Sequence, residues 1–115
     1  MRSEHQTVDG SDPGVVVIRQ TKVIDGVDLS GILPVDRANV AWLRQAIEAV
    51  RNGAYEDQVQ TAGGDALMVF GGGHDSAPVV NVHNRRSADG PFGGVFARGF
   101  LASDVDQLLA DLAAA

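Results

Sequence analysis

The chain has 115 residues, no cysteine, 44 % apolar residues and a formal net charge of −6. That length fits one domain, the apolar share is too high for full disorder, and disulfides, thiolate metal sites and cysteine nucleophiles are excluded. The acidic balance argues against tight nonspecific DNA binding, because the phosphate backbone rewards clustered positive charge.

Residues 1–13 run Ser, Glu, His, Gln, Thr, Asp and Gly, with Val8 the only apolar residue after Met1. Such a segment buries too little to repay its ordering entropy, so a mobile tail over 1–13 is expected ahead of a single domain over 14–115. Val15–Arg19 is β-branched and reads as a strand. Asp25-Gly26 marks a turn. Val27–Leu33 is a weaker strand, broken by Ser30-Gly31 and stopped by Pro34. Asp36 then offers an N-cap to a helix whose Val40, Leu43, Ile47 and Val50 recur at helical spacing, and Asn52-Gly53 closes it.

Thr61–Asp65 reads as a loop, Ala66–Phe70 as a strand ended by Gly71-Gly72-Gly73, and Pro78–His83 as the next strand. Asp89-Gly90-Pro91 is a turn, and Gly94–Leu101 a fifth strand. A second helix starts at Ser103, with Asp106 as capping-box partner and Val105, Leu108, Leu109 and Leu112 on its inner face. The pattern predicts an α+β fold, a mainly antiparallel sheet of about five strands with two helices. Val15–Ile18 followed by Asp25-Gly26 echoes Val79–Val82 followed by Asp89-Gly90 at a constant offset, and a helix follows each. Two related strand-strand-helix units, 14–57 and 62–115, are therefore expected.

Chemistry-bearing motifs are sparse. The Gly71-Gly72-Gly73-His74-Asp75 stretch follows a strand but precedes another strand, and it lacks the Lys-Ser or Lys-Thr pair of a phosphate loop. It reads as a turn. His74, Asp75 and His83 could approach on one hairpin, but three ligands with a second shell are the usual minimum for a metal site, so lone surface histidines are the plainer reading and neither metal nor cofactor is expected. Strand alternation places Asn81, His83 and Arg85 on one side, with Val80 and Val82 on the other. Phe96, Arg98 and Phe100 share a side of the fifth strand. If the two polar sides coincide, Asn81, His83, Arg85 and Arg98, with Arg86 at the strand end, form a binding face. Such a face could stack unpaired bases or anchor a protein. The alternative is that Phe96 and Phe100 are core and Arg98 lies at an edge with its head in water.

The residues resemble a known family, the short acidic actinobacterial proteins of the BldB type. The resemblance is carried by Val17-Ile18-Arg19-Gln20-Thr21-Lys22 and Asp25-Gly26, with Leu43 at the family's Trp position and Ile47 and Val50 at its Leu and Val. Gly53, Tyr55 and Glu56 fall at its closing motif. In the second unit it is carried by Gly63-Gly64-Asp65-Ala66, Ser87-Ala88-Asp89-Gly90-Pro91, and Val105, Leu108, Leu109 and Leu112. It implies a non-enzymatic partner of helix-turn-helix regulators.

The reading is a non-enzymatic regulatory or antitoxin-like protein that binds a protein partner, such as a DNA-binding regulator. Its acidic surface would complement a basic partner. A single-stranded nucleic-acid binder of coactivator-like topology is the second reading, and an enzyme with a spatially assembled site the third. A homodimer is expected, since small sheets with open edges pair. The longest apolar runs are far short of the ~20 residues that span a bilayer, and the N-terminus carries no secretory apolar core. A cytoplasmic protein without a membrane partner is therefore expected.

Overall fold

The computed structural model describes residues 2–53, 58–62, 65–72, 80–87 and 92–115. The fold is α+β: two antiparallel sheets of four strands each, and two helices. Strands β1 (Arg2–Asp9), β2 (Val15–Ile24), β3 (Val27–Asp28) and β4 (Gly31–Asp36) precede helix α1 (Val40–Arg51). Strands β5 (Gln58–Ala62), β6 (Asp65–Gly71), β7 (Val80–Arg86) and β8 (Gly94–Phe100) precede helix α2 (Ala102–Ala114).

In the first sheet β2 is central, with β1 on one side and β3 and β4 on the other. Asp25 (φ 52°) and Gly26 (φ 80°) make the two-residue turn that matches the natural twist of a hairpin. Ile24 pairs with Val27, and the same register continues from Gln20–Gly31 to Val15–Asp36. The strand is interrupted at Leu29-Ser30, beside the expected Ser30-Gly31 break, but the pairing register runs on through it. Ser30 Oγ accepts the Lys22 N–H (3.2 Å) and donates to Asp28 Oδ1. That hydroxyl bond, with the Ser30 backbone N–H, holds the Asp28 carboxyl below the ordinary carboxylate range. Nor does Pro34 stop the strand. Its carbonyl accepts from the Asn84 amide, away from β2, and a strand residue's N and C=O face the same side. The N–H that proline lacks is therefore one that β2 never needed.

The expected mobile tail is instead strand β1, paired with β2 from Arg2–Ile24 to Asp9–Val17. Its order comes from the backbone ladder, not from apolar content, and Val8 packs against the core. The connection to β2 is pinned by Arg37, whose guanidinium donates to the carbonyls of Gly10 (2.7 Å), Asp12 (2.8 Å) and Pro13 (3.2 Å). A second difference is β5, which starts at Gln58, where no element is expected, and runs into the first two residues of the expected Thr61–Asp65 loop. Gln58-Val59-Gln60-Thr61 is too polar to signal a strand, but it needs only one partner, β6, at the sheet edge. Helix α1 follows a 3₁₀ turn over Arg37–Asn39, and Asp36 makes no capping bond.

The sheet order in the second half is β5-β6-β7-β8. Helix α1 packs on β6 and β7 of this half, and α2 packs on β1 of the first half and on α1. One continuous core results, from Val16, Ile18, Leu33 and Val35 through Leu43 and Ile47 to Leu67, Val69, Val80, Val82, Phe100, Val105, Leu108 and Leu112.

The echo between the halves has a structural counterpart. Val16, Ile18 and Gln20 point inward from β2 as Val80, Val82 and Asn84 do from β7. Val16 opposes Val35 on β4, and Val80 opposes Phe100 on β8, so Pro34 and Gly99 stand at equivalent positions. The buried amides reach across reciprocally. Gln20 Nε2 donates to the Gly99 carbonyl (3.1 Å), and Asn84 Nδ2 donates to the Pro34 carbonyl (2.8 Å). Equivalent donors meeting equivalent acceptors is the pattern of two related units facing each other about an approximate two-fold axis.

Candidate functional site

The two-residue period of β7 decides which of the expected binding residues are exposed. Val80, Val82, Asn84 and Arg86 face the core, while His83 and Arg85 face out and Asn81 is half-buried on their side. Asn81, His83 and Arg85 therefore do share one face. Arg86 does not. It is 8 % exposed, pairs with Asp36 (Nη1 to Oδ1, 2.9 Å) and donates Nε–H to the Phe92 carbonyl (3.1 Å). Its place in the even-numbered set makes it a buried tie between the halves.

Arg98 also leaves the expected face. It stands opposite Val82, so it belongs to the inner side, and the two polar sides do not coincide. Arg98 is half-buried, with Nε inside and the Nη1 bond at the exposed rim. It crosses to the first half, where Nη1 donates to the Leu29 carbonyl (3.2 Å), and it lies over Gly31. A Cβ at Gly31 would come within 2.2 Å of Arg98 Cζ, so this glycine serves a close approach. Phe100 is fully buried and Phe96 packs half-buried against the core.

The outer face of the second sheet can be written as rows across the strands. Phe70, Asn81 and Gly99 form one row, Val59, Met68, His83 and Ala97 the next, and Thr61, Ala66, Arg85 and Val95 the third. Val95 is 75 % exposed and Val59 55 %, at opposite edges of the sheet, with Met68 and Phe70 half-buried between them. The Phe70 and His83 rings meet edge to face, with centroids 4.8 Å apart. Arg85 is exposed and its guanidinium has no hydrogen-bond or ion-pair partner among the described residues. No carboxylate lies on this face among the described residues.

Sequence reasoning missed Val59, Met68, Phe70 and Val95. The run Ala66–Phe70 is apolar without alternation, so nothing in it separates an inner from an outer side. Only Leu67 and Val69 are inside. The weak signal was Asn81, His83 and Arg85 on the neighbouring strand, which predicts that their side of the sheet meets water.

Among the described residues no three His, Asp or Glu side chains converge to hold a metal ion, and His74 and Asp75 lie outside the described residues. The Gly73–Val79 and Ala88–Pro91 segments, with the expected turn at Asp89-Gly90-Pro91, lie outside them too. An open recess of about 560 Å³ between β1 and the end of α2 is lined by Gln6, Thr7, Val8 and Asp111, a set with one ionisable side chain. No helix is long and apolar enough to cross a membrane among the described residues. No family model matches the chain and no curated protein matches it, so the outer face of the β5–β8 sheet is the feature from which function is read.

Proposed function

We propose that the protein is a non-enzymatic binding module that acts on a protein partner through the outer face of the β5–β8 sheet. The observation that carries this reading is one face combining exposed Val59 and Val95, half-buried Met68 and Phe70, and an Arg85 that has no partner among the described residues. Apolar side chains around an arginine are the composition of an interface centre. A contiguous exposed apolar patch marks an interaction site more often than a plain surface does. The regulatory role implied by the BldB-type resemblance, a cytoplasmic setting and a homodimer formed at a free strand edge belong to the same reading. Pairing at an edge leaves the sheet face open.

The test places a photo-crosslinking residue at position 95, with a second at Gln107 on the exposed side of α2 as control. Position 95 should capture a discrete protein that position 107 does not. Equal capture at both positions would reject the face.

A second reading is favoured by the Phe70–His83 ring pair beside Arg85 on a strand-rich, helix-closed repeat. Single-stranded nucleic acid stacks on such rings. It predicts salt-sensitive binding of a single-stranded oligonucleotide, weakened by Phe70→Ala. Among the described residues the face offers one exposed arginine, since Arg86 is buried in its ion pair and Arg98 belongs to the inner side, and that places this reading second.

A further inference from the structure

We infer that the partner segment which covers this face is an amphipathic α-helix whose aliphatic stripe is flanked by carboxylates, one of them placed to meet Arg85. The inference rests on the protein-docking reading above and names the partner's chemistry.

The first argument is from backbone hydrogen bonding. Met68 and Phe70 sit on β6, which is paired with β5 on one side and β7 on the other. His83 and Arg85 sit on β7, paired with β6 and β8. No backbone group there is free to accept an added strand, so the occupant must meet the face through side chains. Its own backbone must then be satisfied internally, which a helix or the face of another sheet achieves.

The second argument is from the other side of the same sheet. There the cover is a helix, α1, whose Leu43, Ala46, Ile47 and Val50 are buried against it. The outer face has the same four-strand width and the same central strands.

The third argument is from charge. A second copy docked face to face about a two-fold axis would bring cationic Arg85 toward its own copy. No described carboxylate on the face would answer the two guanidinium groups. Desolvating Arg85 without a counter-charge is unfavourable, so the occupant must bring one. The whole chain carries a net charge of −6, and an acidic helix is repelled elsewhere on its surface and admitted here.

The experiment uses the full chain, labelled for amide NMR, and two synthetic peptides. Both are helical with the same leucine stripe; one has glutamates flanking the stripe and the other has lysines. The glutamate peptide should shift the amides of Met68, His83, Arg85 and Val95 and bind about tenfold tighter than the lysine peptide. Arg85→Glu should invert that preference, and Arg85→Gln should abolish it without inversion, with thermal melts reporting the fold of each variant. Equal binding of the two peptides, shifts confined to another surface, or no binding by either would overturn the inference. If the peptides fail while position 95 still captures a discrete protein, the docking reading stands and the acidic helix alone falls. If position 95 captures nothing and an oligonucleotide shifts the same amides, both fall.

Discussion

Arg85 and Arg86 are adjacent in sequence and opposite in fate. One stands in water between Ala66 and Val95; the other is buried, tied to Asp36 and to the Phe92 carbonyl. The same division runs along β7, where the inward set Val80, Val82, Asn84 and Arg86 joins the core and the outward set Asn81, His83 and Arg85 lines the outer face. A single strand thus does two jobs because its side chains alternate. Polarity does not separate the two sets, since each contains an asparagine and an arginine. What separates them is whether each polar atom has a protein partner at hand.

The largest effect is expected on the inner side, where Phe100→Ala removes a fully buried ring from the joint core. It should cost ~3–5 kcal/mol in urea denaturation. A loss below about 1 kcal/mol, less than deleting a few buried methylenes costs, would mean that the inner face is not packed as described. Arg86→Ala comes next. It strips Asp36, itself partly exposed, of its ion-pair partner and frees the Phe92 carbonyl. About 1–3 kcal/mol is expected, the scale of a lost charge-assisted bond. Arg86→Lys should recover part of this, because it keeps the charge and loses the second bond. A neutral Arg86→Ala would erase the contrast with Arg85.

The reciprocal amides sharpen the comparison between halves. Asn84→Ala leaves the buried Pro34 carbonyl without its side-chain donor, and Gln20→Ala does the same to Gly99. Each should cost ~1–2 kcal/mol. Asn84 should cost more, since its bond is shorter and fully buried. Because both bonds close one seam between β4 and β8, the double variant should depart from additivity by more than ~0.5 kcal/mol. Strict additivity would show that the two bonds act as separate local ties, and not as halves of one symmetric joint.

Much of this fold is legible in the sequence. The stripe of Leu43, Ile47 and Val50, the Asp25-Gly26 turn and the alternation along residues 80–85 each map to one physical signal, and the structure contains all three. What was not legible depends on partners distant in sequence. Residues 2–9 carry no apolar signal, and their order comes from a ladder with β2. Pro34 reads as a strand stop until its carbonyl is seen to face Asn84, fifty residues away. Arg98 reads as a surface cation until Gly31 opens the space that its guanidinium fills. The site was half legible for the same reason. Asn81, His83 and Arg85 follow from alternation, whereas Val59, Met68, Phe70 and Val95 become a surface only when the register brings four strands into rows.

The smallest expected effect is the one on which the open face depends. Arg85→Ala should leave stability within ~0.5 kcal/mol of the parent, as exposed substitutions without partners do. The side chain is exposed, its cross-strand neighbours are Ala66 and Val95, and no described group bonds its guanidinium. The substitution therefore removes no electrostatic partner among the described residues. The only stabilising contact at stake is the packing of the aliphatic stem on the sheet, which alanine removes in part. Alanine also suits a strand less well than a longer side chain, which pulls weakly in the same direction. Measured beside Arg86→Ala in the same denaturant series, the two adjacent substitutions should differ by at least ~1 kcal/mol, the gap between a lost charge-assisted bond and an exposed substitution. If Arg85→Ala costs as much as its neighbour, the Arg85 guanidinium is already engaged within the fold. The outer face would then have no free cation to offer a partner, and the division of labour along β7 would collapse into a single structural role.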